Sequence, residues 1–163
     1  MQLILMRHAK SDWSFEQEDH DRPLNPRGRL SADALGDWLR DQHLVPDQVL
    51  CSTSARTRET LDLLKLETQV YFSDALYHAA PETMLDVLKQ AQGQRVLMVG
   101  HNPGIALFAN GLVAAPVAHP RFQDYPTCAT LVVKFDISRW SDLTLRSGTA
   151  QHFVVPRELI NPA

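Results

Sequence analysis

The sequence predicts an α/β fold, a three-layer α/β/α sandwich around a mainly parallel sheet. Two observations carry that reading. Short apolar runs alternate with stretches of helical period through the first two thirds of the chain, the pattern that builds parallel sheets with helices on both faces. The final third turns rich in β-branched residues, which is where antiparallel edge strands would join. A chain of 163 residues with 44% hydrophobic and 21% charged residues has the composition of an ordinary globular protein. It is expected to form a single domain, residues 1–163.

The first strand is "QLILM", residues 2–6, apolar enough to be covered on both faces. A polar, loop-like stretch, "KSDWSFEQEDHDRPL", follows, with Trp13 and Phe15 as anchors. "NPRGRLSADALGDWLRDQH" reads as a helix capped by Asn25, with Pro26 at its first position. Its apolar face is assigned to Leu30, Ala34, Leu35, Trp38 and Leu39. "DQVLCS" is the second strand and "SARTRETLDLLKL" the second helix, turned inward at Leu61 and Leu64. "TQVYF" is the third strand, and "PETMLDVLKQA" a helix opened by proline. "RVLMVG" is the fourth strand, followed by the helix of "HNPGIALFANGLV" with Asn102 as its cap. "TCATLVVKFDI" and "TLRSGTAQHFVVP" are two closing strands.

Several function classes recede on composition. A net charge of −3 leaves no basic footprint for nucleic acid. The opening apolar run is shorter than the ~7–15 residues of a signal-peptide core, and no run nears the ~18 residues of a membrane span. A cytoplasmic location without membrane association is the expectation. Cys51 and Cys128 read as two buried thiols.

In such sheets, ligands bind outside the carboxyl ends of the strands. Strand one ends on Arg7 and His8, strand four on Gly100 and His101, and strand two runs into Ser52, Arg56 and Arg58. Taken singly, each of these is an ordinary turn or cap. Together they bring histidines and arginines to one rim. An arginine cluster calls for an anion, and a phosphoryl group suits the bidentate guanidinium fork. Helix N-termini after residues 54 and 102 would add N–H donors. An imidazole, with an ordinary pKa of about 6.5, is a neutral nucleophile near pH 7, and neighbouring arginines would help to keep it neutral.

"MRHA", "STSARTRET" and "VGHNP" resemble the two histidine segments and the second arginine segment of the histidine phosphatase superfamily. "RHAKSDW", "DHDRPLNPRG" and the short chain resemble its SixA-type phosphohistidine phosphatases. The likeness runs from residue 2 to the tail "FVVPRELI" and implies a phosphoglycerate mutase-like fold. It also implies that His8 attacks phosphorus and carries a transient phosphohistidine. Arg7, Arg56 and His101 would hold the equatorial oxygens, Asn102 would line the substrate site, and water would release inorganic phosphate. No metal and no cofactor is required.

Ala9 stands where the superfamily more often has glycine. The proton donor of many relatives lies between the third strand and the next helix, which here nominates Glu82, with Asp74 and His78 behind it. Lys10, Asp21 and Arg22 border the site, with solvation or structural pairing as their plainer reading. His20, His43, His119 and His152 are assigned to solvent, and Trp13, Trp38 and Trp140 to packing.

The expected partner is a protein bearing phosphohistidine, such as a phosphotransfer domain or phosphocarrier. The alternatives are a small phosphorylated substrate, turned over by a phosphomonoester phosphatase or a mutase-like phosphotransferase, and a non-catalytic phosphate-binding protein. A mutase needs a closing lid, and the chain carries no long helical insertion to make one.

Overall fold

The computed structural model describes residues 1–14 and 16–160, so the anchor role assigned to Phe15 lies outside the described residues. Six strands form one sheet: β1 (Gln2–Arg7), β2 (Gln48–Ser52), β3 (Val70–Ser73), β4 (Arg95–Gly100), β5 (Thr130–Lys134) and β6 (Thr149–Val154), in the order β3-β2-β4-β1-β5-β6. The first four are mutually parallel, whereas β5 runs antiparallel to β1 and β6 antiparallel to β5. The β-branched C-terminal third thus supplies the antiparallel edge, as its composition predicts.

β1 alternates faces as a doubly covered strand must. Leu3 and Leu5 enter one core, with Met84, Ile105 and Phe108, while Ile4 and Met6 enter the other, with Leu35, Leu39 and Leu64. Helices α3 (Pro81–Leu88) and α4 (Gly104–Leu112) cover the first face; α1 (Pro26–Asp41) and α2 (Ala55–Leu64) cover the second. A short α5 (Pro156–Ile160), not predicted from the sequence, docks beside α1.

α1 begins as predicted: Asn25 caps it by accepting from the Gly28 amide at 2.8 Å, and Pro26 occupies its first turn. Its buried stripe differs from the predicted one. Leu30 is exposed, and the covered face is Gly28, Ser31, Ala32, Leu35, Gly36 and Leu39. The physical reason is backbone proximity: a Cβ on Gly36 would meet the Leu64 carbonyl of α2, and one on Gly28 the Lys10 carbonyl. Small residues there admit the neighbouring chain, a signal that apolar periodicity does not contain.

Cys51 and Cys128 are both buried, and loss of water pushes each thiol up to about 12. Among the described residues, no helix is long and apolar enough to cross a membrane.

Candidate active site

Register explains why the predicted residues meet. Arg7 pairs with Gly100 across β1 and β4, and Cys51 pairs with Val99 across β2 and β4. The residues just beyond, His8, His101 and Ser52, therefore emerge side by side at the carboxyl edge of the parallel strands. The rings of His8 and His101 stand 5.3 Å apart.

His8 is held from three sides. Its amide donates to the Gly100 carbonyl at 3.0 Å, its carbonyl accepts from the Cys128 amide at 2.9 Å, and the next amide, Ala9, donates to Thr60 Oγ1 at 2.9 Å. The ring is nearly buried, and Nδ1 lies 2.7 Å from the Ala9 carbonyl. A carbonyl oxygen only accepts, so Nδ1 carries the hydrogen and Nε2 keeps a free lone pair. Burial is the main force against a second proton. The Ala9 bond partly offsets it, and Arg56, Arg7 and Arg22 add to it, so the ring's pKa is pushed down to about 3.

Arg56 stands in the first turn of α2, whose start Ser54 caps through the Thr57 amide. Arg56 is 1% exposed. Nη1 donates to the Asp19 carbonyl at 2.7 Å and Nη2 to Asp19 Oδ2 at 3.0 Å, with His101 Nδ1 at 3.3 Å. On the other side of that ring, His101 Nε2 meets Ser52 Oγ at 2.8 Å. Burial, His8, Arg56 and His78 together lower the His101 pKa to about 2.

Asp19 is the organising group that sequence reading passed over. Oδ2 accepts from Arg56, from the Tyr77 hydroxyl at 2.5 Å and from His78 Nε2 at 2.9 Å, while Oδ1 accepts from Arg22 at 2.7 Å. Partial burial works against its charge, but the bonds from Arg22, Tyr77 and His78 and the field of Arg56 hold it far below the usual carboxylate range. The stretch "EQEDHDR" looks like an acidic loop. Its one usable signal is the i, i+3 spacing of Asp19 and Arg22, which a 3-10 turn at Asp19–Asp21 brings to one side. Asp21, the acidic residue named with Arg22, stays exposed, as does Lys10.

These groups enclose a cavity of about 410 Å³ lined by Arg7, His8, Arg22, Arg56, His78 and His101, with Lys10 and Trp13 at its rim. Three guanidiniums face one carboxylate, and the Nε atoms of Arg7, Arg22 and Arg56 have no hydrogen-bond partner among the described residues. The cup therefore favours an anion and presents an uncharged imidazole nitrogen to it.

The expectations for Glu82 and Trp13 are corrected. Glu82 is exposed on the first turn of α3 and does not line the cavity; the chain enters α3 only after turning away at His78, and His78 is the residue that faces inward. Trp13 is not a packing residue but 77% exposed, with the Arg22 guanidinium 3.5 Å from its ring centre. Asn102 lines the cavity, yet its amide group is engaged: Nδ2 donates to the Asp124 and Tyr125 carbonyls and Oδ1 accepts from Ala106. Trp140 is core, as predicted, and its indole N–H donates to Gly93. His20 and His119 are not simply solvated, since each packs edge-on against an aromatic ring, Tyr77 and Phe153.

Comparison with known proteins places the sequence and the fold. The sequence model described as Histidine phosphatase superfamily (branch 1) matches residues 3–77. Protein Rv1276c of Mycobacterium tuberculosis is 36% identical over 160 residues, covering 93% of this chain and all of its own length. A candidate phosphohistidine phosphatase SixA from Nakamurella multipartitia superposes with a TM-score of 0.83 at 32% identity, over 95% of each chain. A second candidate SixA, from Agrobacterium tumefaciens, gives 0.77 at 27% identity over 95% of this chain and 97% of that one.

Proposed function

The chain belongs to the histidine phosphatase superfamily, as a SixA-type member, and from that premise we propose that it hydrolyses phosphohistidine on a protein through a transient phosphohistidine at His8. The observation that carries the reading is the free Nε2 lone pair of His8, set by the Ala9 carbonyl, inside a cup of three guanidiniums.

The chemistry follows from those positions. The lone pair of Nε2 attacks phosphorus; an N–P bond forms as the bond to the leaving nitrogen breaks and its electron pair returns to that nitrogen. Arg7 and Arg56 hold the equatorial oxygens, where charge gathers in the transition state, with the His101 ring packed beside them. Water then attacks the phosphoenzyme, inorganic phosphate departs, and Nε2 recovers its lone pair. Splitting one transfer into two lets the same cationic cup serve both halves. The leaving imidazole takes its proton from water, and Glu82, exposed and outside the cavity, is not its donor.

Acid-labile labelling with a radioactive phosphodonor tests the reading. Wild type should take up label and lose it to water, whereas His8→Ala should take up none. Label on the His8→Ala variant would overturn the proposal. Turnover of phosphoglycerate above that of phosphohistidine peptides would instead support the mutase-like reading. Bound phosphate without release from any donor would support a non-catalytic one.

A further inference from the structure

A second cavity, of about 470 Å³, shares Lys10 and Thr127 with the first and so adjoins it. Arg27, Arg121 and Arg157 line it, over walls built from Pro120, Pro126 and Pro156. Lys10, Arg27 and Arg157 are exposed and form no ion pair among the described residues. Arg121 is already paired with Asp124, and the lone lining carboxylate, Glu158, is held by His119 and by the Val155 amide. This concentration of free cations occurs in a chain whose net charge is −3. Arg27 also sits in the first turn of α1, which has no acidic residue, where a cation opposes the helix dipole. Its charge therefore works against its own helix and is available to a partner.

We propose that this groove docks an acidic segment of the protein that carries the phosphohistidine, with carboxylates flanking the modified residue set on Lys10, Arg27 and Arg157. The inference rests on the phosphohistidine reading and narrows its substrate class. A phosphoryl group at His8 sits in the inner cavity, and a substrate with chain on one side of it reaches the outer groove. Proline walls offer fixed apolar contact and lack N–H groups that a bound segment would have to satisfy. Rim charges of this kind act mainly on encounter and partner choice.

The test compares two phosphohistidine peptides, one flanked by Asp and Glu and one by Asn and Gln, with phosphoimidazole. Lys10 borders the inner cavity and is left alone; the variant is R27E/R157E, checked by its melting temperature. The double reversal should lower kcat/KM for the acidic peptide by about ten-fold at low salt, an effect that fades at high ionic strength. Phosphoimidazole and the neutral peptide should be unaffected. Equal use of both peptides by wild type, or an equal loss on phosphoimidazole, would overturn the proposal, as would inhibition by polyuridylate as strong as that by the unphosphorylated acidic peptide. Should wild type turn over no phosphohistidine, the catalytic reading falls. Anisotropy of the labelled, unphosphorylated acidic peptide then decides docking by whether binding exists and is lost in R27E/R157E.

Discussion

At the scale of single residues, Asp19 sets the tension in the site. Its carboxylate compensates Arg22 and Arg56 when the cup holds no anion, yet its negative charge opposes any phosphoryl group that enters. Asp19→Asn keeps the shape and removes the charge. Without phosphate the variant should lose about 1–3 kcal/mol of stability, below the full cost of breaking a buried pair because Asp19 is 40% exposed. Added phosphate should restore more of the melting temperature than it adds to wild type. A variant that melts like wild type without phosphate would remove Asp19 from this role. Glu82→Gln, by contrast, should keep kcat within about two-fold, because the side chain lies on the exposed face of α3. Arg7, His8, Arg56 and His101 are legible in the sequence because each sits at a strand end or the helix turn after one, where chain topology alone fixes the rim. Asp19 and Tyr77 are not, because they reach the site from irregular segments and meet only through tertiary folding, and His78 is legible only as a proton-donor candidate behind Glu82.

At the scale of elements, the strands were readable because each is a short apolar run closed by polar residues, and "RVLMVG" coincides with β4 residue for residue. The short pieces that escaped include α5 and the 3-10 turns at Asp19–Asp21 and Asp74–Leu76, all too brief to show a period. The misread face of α1 has a different origin, since Gly28 and Gly36 pack through the side chains they lack. This yields a paired prediction. Gly36→Ala gains helix propensity of about 1 kcal/mol, but its Cβ would stand 2.5 Å from the Leu64 carbonyl, which belongs to backbone and cannot swing aside. Overpacking of this kind costs about 1–3 kcal/mol. Gly111→Ala in α4 meets nothing within 4 Å and should raise stability by about 0.4–1 kcal/mol. Urea midpoints for the two variants should therefore move in opposite directions, and a stabilised Gly36→Ala would refute the tight approach of α1 to α2.

At the scale of the molecule, the same burial that keeps the His8 ring neutral makes the fold sensitive to acid. His8 and His101 are neutral in the folded chain, with pKa values lowered to about 3 and about 2, whereas both return to the ordinary value of about 6.5 on unfolding. Below pH 6.5 the unfolded chain binds protons that the folded chain refuses. Stability contributed by the two rings is thus whole above pH 6.5 and is lost as pH falls toward 3. The slope is about 1.4 kcal/mol per pH unit for each histidine. Urea denaturation between pH 7.5 and 5.5 should show a declining midpoint, and His101→Asn should remove about half of the decline. Saturating phosphate should flatten the decline further, because a bound anion offsets the charge of a protonated ring and binds only the folded cup. Carbon-13 spectra of labelled histidine give the direct reading. Two ring signals should hold still from pH 8 to 5 in wild type, and the His8→Asn and His101→Asn variants should each lose one of them. If those signals instead titrate near pH 6.5, the uncharged nucleophile is not a property of the fold, and the case for His8 loses its electrostatic half.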